Sequence, residues 1–250
     1  MNKVRSEQVI VDITIAAPIE AVWPALREPD LIRTWFGWDA DSLAEEIKFI
    51  FLDHATEDVA RHVVQFGEWE GAADRIELEA VEGGTRLRVV RAGGAPVDWT
   101  GVYEDITQGW INFFQQLRLA LELHPGEGRR TVYLSGAAKS GAGEPSTALG
   151  LSHLTTVSPG MPYRARPATG EEIGGLVWYQ THFQTALTVE NWGKGLLVVT
   201  DMGVSPKRPH GGGSVLLTTY GLSDGAFLAL EARWRDWWDA RFGASAAMQG

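Results

Sequence analysis

The spacing of apolar and polar positions changes period repeatedly along the chain, and each change predicts an element. Val9 to Ile15 is rich in β-branched residues with partial alternation, the pattern of a strand. Ile19, Val22, Trp23 and Leu26 then share one helical face, with Pro18 placed for the first turn, Pro24 placed to kink it and Pro29 placed to end it. A second short helix is predicted through Leu31, Ile32, Trp35 and Phe36. From Ile47 to Arg91 the period is two: Ile47, Phe49 and Phe51; His62, Val64 and Phe66; Ile76, Leu78 and Ala80; Leu87 and Val89. Turn chemistry at Phe66-Gly67, Glu70-Gly71 and Gly83-Gly84 separates these runs, so an antiparallel meander is expected. Tyr103, Ile106, Trp110, Phe113, Phe114, Leu117 and Leu121 return to intervals of three and four, predicting one long amphipathic helix that ends near His124-Pro125-Gly126.

The same order then recurs. Thr131 to Ala138 is similar to Val11 to Ala17, and Ile76 and Leu78 recur as Leu197 and Val199. In the last helix Phe227, Leu230, Trp234, Trp237 and Trp238 repeat the spacing of Tyr103, Ile106, Trp110, Phe113 and Phe114. Matches in one order, at nearly half the chain length, predict a diverged duplication. The domains are placed at residues 1–125 and 128–245. Ser135 to Pro145 is small and Gly-rich and reads as a loop after the new first strand.

In the first half, Ile15, Ala17-Pro18, Glu20, Val22-Trp23, Leu26, Pro29, Leu31 and Trp35-Phe36 are followed by Gly83 to Leu87 and by Gly109-Trp110 leading to Leu117. In that order, this half resembles the activator-of-heat-shock-protein-90-ATPase-like branch of the START/Bet v 1-like (SRPBCC) superfamily. The second half lacks the Ala-Pro segment and has Arg233 where the first has Gly109, so it joins the resemblance only through the internal repeat. The resemblance implies an α+β chain of two helix-grip repeats, each a curved antiparallel sheet wrapped on a long C-terminal helix around an apolar cavity.

Composition narrows the partners. The chain has 250 residues, 44% hydrophobic and 22% charged, which excludes disordered, collagenous and coiled-coil classes. A net charge of −10 with no Lys/Arg run argues against nucleic acid and anionic membranes. With no cysteine, disulfides and thiolate chemistry are absent, which fits a reducing cytoplasm, the location expected. Met1 to Gln8 is polar, unlike a secretory signal, and runs such as Leu196 to Val199 are far shorter than the ~20 residues of a membrane helix.

Eleven Trp, nine Phe and five Tyr remain to be explained. Indoles carry an N–H that must find a partner when buried, so they suit the wall of a ligand chamber. Trp35, Phe36, Phe49, Phe51 and Phe66, with Trp69, Trp110, Phe113, Phe114 and Leu117, are the candidate lining of the first half. Trp178, Phe183, Trp234 and Trp237 are the candidates of the second. A glycine inside a helix costs about 1 kcal/mol relative to alanine, so Gly109 calls for a reason: close helix packing or the approach of a ligand.

The six histidines lack the spacing of a zinc site, and the glycine runs at Gly193 and Gly211 to Gly213 precede strands, so neither a metal nor a cofactor is expected. His62 and His182 fall within strand patterns and are the candidates for proton transfer; Asn112 and Gln116 are candidate polar anchors. The leading expectation is a protein that binds a hydrophobic, polycyclic or polyketide-like small molecule, for sequestration, transport or self-resistance in a natural-product pathway. An enzyme of the cyclase/aromatase or dehydratase kind using the same cavity is the first alternative, and a co-chaperone-type interaction protein the second. Oligomeric state is left open.

Overall fold

The computed structural model describes residues 7–68, 72–93, 102–206 and 208–243. The chain divides into two compact units, Met1–Glu127 and Gly128–Gly250.

The first unit opens with β1 (Glu7–Ile15), followed by α1 (Ile19–Ala25), α2 (Pro29–Ile32) and α3 (Leu43–Ile47). Pro18 is the N-cap of α1, Pro24 lies one residue before that helix ends, and Pro29 opens α2, where its missing N–H has no helical partner to lose. β2 (Ala55–Asp58), β3 (Val63–Phe66), β4 (Ala72–Val81) and β5 (Gly84–Gly93) form the meander, and α4 (Val102–Leu123) closes the unit. The sheet order is β1-β5-β4-β3-β2, antiparallel throughout.

One predicted strand is helical instead. α3 continues into a π-helical stretch, Lys48–Asp53. Ile47 and Phe51 are both buried, but Phe49 between them is 48% exposed. Positions i and i+4 share a face in a helix and also in a strand, so only the middle residue separates the two readings.

The second unit repeats the arrangement with an added edge strand. β6 (Arg129–Ala137), α5 (Pro145–Leu149), β7 (Pro162–Ala165), β8 (Ile173–Gln180), β9 (Gln184–Val189), β10 (Gly195–Met202) and β11 (Gly212–Tyr220) lead to α6 (Asp224–Arg241). The order is β6-β11-β10-β9-β8-β7. β6 runs through Gly136 into the segment predicted as a loop. A Cβ on Gly136 would lie 1.7 Å from the Gly243 carbonyl oxygen, so this strand carries glycine where the chain after α6 crosses it.

Register makes the repeat concrete. Leu78 pairs with Leu87 and Ile76 with Val89 across β4 and β5; Val199 pairs with Val215 and Leu197 with Leu217 across β10 and β11. Each foursome belongs to the buried apolar cluster of its own unit, together with Phe114 and Leu117 of α4 in the first and Trp234 and Trp237 of α6 in the second. Each unit is therefore a helix-grip arrangement, an antiparallel sheet closed by a long C-terminal helix, and the chain is α+β.

The outward faces differ. In the first unit, Glu7, Arg75, Glu77 and Arg88 form a ladder of ion pairs at 2.7 to 2.9 Å. In the second, Leu196, Val198 and Leu216 occupy the alternate positions and are themselves buried. No helix among the described residues is long and apolar enough to cross a membrane.

Candidate functional site

Seven rings of the first unit form one connected cluster. Trp35 stacks on Phe114 (centroids 5.4 Å apart, 28° between planes) and meets Phe51 and Phe36 edge-on. Phe36 meets Phe113 at 4.7 Å, and Phe51 meets Phe66 at 5.6 Å. Trp110 stacks on Phe114 at 5.3 Å and 15°, and lies 5.3 Å from Phe66. Such pairs contribute about 0.5 to 1.5 kcal/mol each beyond their buried area. The Trp35 indole N–H donates to the Ala25 carbonyl oxygen at 2.8 Å, so α1 orients the ring at the centre.

Burial across this cluster is graded. Trp35, Phe51, Phe114 and Leu117 are fully enclosed, while Trp110 and Phe113, near the middle of α4, are half-buried. Gly109 lies on the same turn. Among the described residues, a Cβ added there would meet only Phe113 Cε2, at 3.9 Å, an ordinary contact. Among the described residues, therefore, close packing does not account for the glycine.

At this end of the cluster lies a polar group that the spacing argument missed. Asp74 and Arg91 are directly paired across β4 and β5, on the face that carries Ile76, Leu78, Leu87 and Val89. Arg91 Nε and Nη2 donate to the two carboxylate oxygens of Asp74 at 2.7 and 2.8 Å, a bidentate ion pair with side chains only 6% and 12% exposed. Arg91 Nη1 donates to Thr107 Oγ1 at 3.1 Å, and Trp110 Nε1 donates to Asp74 Oδ2 at 3.0 Å. The ion pair thereby fixes the plane of the half-buried indole. The available signal was a charged residue falling on each apolar period, two positions before Ile76 and two after Val89.

Several expected residues lie elsewhere. Phe49 faces outward, tilted against His54 with ring centroids 3.8 Å apart, so it is not part of the lining. Trp69 lies outside the described residues. His62 is not on a strand: it sits in the turn before β3 at φ 52°, edge-on to Trp23 at 5.4 Å. His182 is exposed in the turn between β8 and β9, beside the half-buried Phe183. Neither histidine reaches the rings. Asn112 and Gln116 are buried; Asn112 lies across α4 from Trp110, and Gln116 follows Phe113 by one turn.

In the second unit Trp234 and Trp237 are buried in the core, whereas Trp178 lies at an irregularity in the pairing of β8 with β9, on a position outside the core cluster. Glu171 does for Trp234 what Asp74 does for Trp110. Its carboxylate accepts from Trp234 Nε1 at 3.0 Å, Arg233 Nη2 at 2.8 Å and Trp192 Nε1 at 3.4 Å. Burial pushes the phenols of Tyr163 and Tyr179 well above their ordinary range. Tyr163 donates to the Thr188 carbonyl oxygen at 2.7 Å and Tyr179 to Gln184 Oε1 at 2.8 Å.

Among the described residues, no three His, Asp or Glu side chains converge as metal ligands. The first unit's cluster thus offers flat apolar faces and a buried, charge-balanced polar end. Among the described residues its one carboxylate, Asp74, is committed to three N–H donors.

No protein-family model matches the chain, and no curated protein does. Among solved structures it is similar to DynU16, a protein from the dynemicin biosynthetic locus, at 15% identity and a TM-score of 0.29, over 95% of this chain and 96% of that one. It is also similar to two di-domain ARO/CYC proteins. StfQ, from the steffimycin biosynthetic pathway, aligns at 10% identity and a TM-score of 0.35, over 92% of this chain and 91% of that one. BexL, from the BE-7585A biosynthetic pathway, aligns at 14% identity and 0.33, over 91% and 88%.

Proposed function

We propose that the first unit binds a hydrophobic, polycyclic small molecule of polyketide-like character against Trp110 and Phe113, and that the protein sequesters, carries or gives protection from such a compound in a natural-product pathway. The observation that supports this reading is the graded burial of one continuous ring cluster, fully enclosed at Phe114 and partly exposed at Trp110, Phe113 and Gly109. A tricyclic guest covering roughly 300 Å² of apolar surface would gain about 7 kcal/mol. Association costs of about 4 kcal/mol or more leave a Kd in the millimolar range before stacking and polar contacts are added.

Binding rather than turnover is favoured because the candidate proton-transfer groups His62 and His182 sit in turns away from the rings, and Asp74 is held as an acceptor by Arg91 and Trp110. Compounds of the dynemicin, steffimycin and BE-7585A kinds are the first to try. The test is native mass spectrometry of the freshly purified protein, followed by titration with such polycycles using tryptophan emission. Saturable quenching that is lost in Trp110→Leu and Phe113→Ala and kept in Trp237→Phe is the expected result. Quenching unchanged in both first-unit variants, or no binding of any tricyclic or tetracyclic compound, overturns the reading.

A further inference from the structure

The polar end of the ring cluster holds more donors than acceptors. A guanidinium has five N–H groups, and Arg91 uses three of them, on Asp74 and on Thr107 Oγ1. Among the described residues, one N–H on each of Nη1 and Nη2 has no acceptor, and the Thr107 hydroxyl still has its own proton to donate. Asp74, with three bonds accepted, keeps about one of its four acceptor positions. Arg91 is only 5% exposed, so water has little access to the unspent donors, and a buried donor without an acceptor is costly.

Charge decides which acceptor suits them. Arg91 and Asp74 cancel, and the whole chain carries −10, so nothing here favours a carboxylate, sulfate or phosphate. A neutral oxygen in the plane of a flat ring fits better: a ketone or quinone carbonyl. We infer that the ligand class of this site is a planar polycycle bearing a ring carbonyl, whose oxygen accepts from Arg91 while its rings lie on Trp110 and Phe113. This rests on the binding proposed above for those two rings.

The experiment is calorimetric titration of the full chain with 2-(hydroxymethyl)anthraquinone and with 2-(hydroxymethyl)anthracene, which share a three-ring frame and differ in the ring carbonyls. The quinone is expected to bind about 10-fold tighter, the effect of one charge-assisted hydrogen bond. Arg91→Lys keeps the positive charge beside Asp74 and loses the fork; it is expected to reduce the preference for the quinone over the hydrocarbon to about 3-fold or less, a ratio in which any change common to the two compounds cancels. Should that variant fail to fold, Thr107→Val removes the hydroxyl from the helix side and is expected to lower the preference about 3-fold. Equal binding of the two compounds overturns the inference and leaves the proposed binding standing. An undiminished preference in folded Arg91→Lys overturns the assignment to Arg91, and binding of neither compound overturns the proposed function and this inference with it.

Discussion

Trp110 of α4 and Trp234 of α6 stand at equivalent places in the two units, and each donates its indole N–H to a carboxylate at 3.0 Å beside an arginine. The carboxylates have different origins. Asp74 belongs to the inner face of the first sheet and is paired there with Arg91. Register carries those two positions to Gly195 and Thr219 in the second sheet, one step beyond the Leu196 and Thr218 pair. A Cβ on Gly195 would come within 2.1 Å of the Thr218 carbonyl oxygen and 3.0 Å of Trp192 Cβ. In the second unit the position of the ion pair's acid is closed by the Thr218 carbonyl oxygen and by Trp192 Cβ, and the acid comes from the β7–β8 loop as Glu171. Trp192, Trp234, Trp237 and Trp238 are all buried, whereas Trp110 and Phe113 keep part of their surface open. One architecture thus supports a fully buried ring cluster and a partly exposed one, with the acid carried by a strand in the first unit and by a loop in the second.

The sharpest way to break this comparison is to remove each acid. Asp74→Ala leaves the Arg91 charge buried without its partner and is expected to cost about 3 to 5 kcal/mol in urea unfolding. Glu171 is 17% exposed, so Glu171→Ala, which strands two indole N–H groups and Arg233, is expected to cost less, about 2 to 3 kcal/mol. Equal small losses would mean that neither acid organises its unit. Gly195→Ala forces a side chain against backbone and against Trp192, with an expected loss of about 3 kcal/mol; a neutral result would show that the second interior is looser than its packing.

The pattern of the chain revealed part of this arrangement and concealed the rest for identifiable reasons. The helical spacing of Trp110, Phe113, Phe114 and Leu117 and the alternation of Ile76, Leu78, Leu87 and Val89 were legible because each set occupies one buried face over several periods. Phe49 was misplaced because Ile47 and Phe51 satisfy two periods at once. His62 was read as continuing the alternation of Val64 and Phe66, but a positive φ breaks the strand there. Asp74 and Arg91 were hidden for the opposite reason: their spacing placed them inside, while their charge suggested outside. Only three-dimensional pairing shows that each neutralises the other. Glu171 could not be found from spacing, because the loop that carries it has no period.

Smaller effects sharpen the contrast further. The phenols of Tyr163 and Tyr179 hold their protons in the folded second unit to higher pH than they do when unfolded. Their pKa values are raised by folding, so stability is unaffected below about pH 10 and falls as pH rises above it, by about 1.4 kcal/mol per pH unit for each tyrosine. Denaturant midpoints measured between pH 9 and 11 check this, and amide exchange should show the loss first in the second unit. Gly109→Ala has the opposite sign to Gly195→Ala: with only a 3.9 Å contact to accommodate among the described residues, it is expected to stabilise the first unit by about 0.5 to 1 kcal/mol while weakening any guest that lies over Phe113. A destabilising Gly109→Ala would show that the position is needed for packing.

Hydrogen exchange of the full chain with and without 2-(hydroxymethyl)anthraquinone asks most directly which interior receives a guest. Slowed exchange in α4 between Ile106 and Leu117, with α6 between Leu230 and Arg241 unchanged, is the predicted result. Protection confined to α6, or none in either helix at saturating compound, would contradict it.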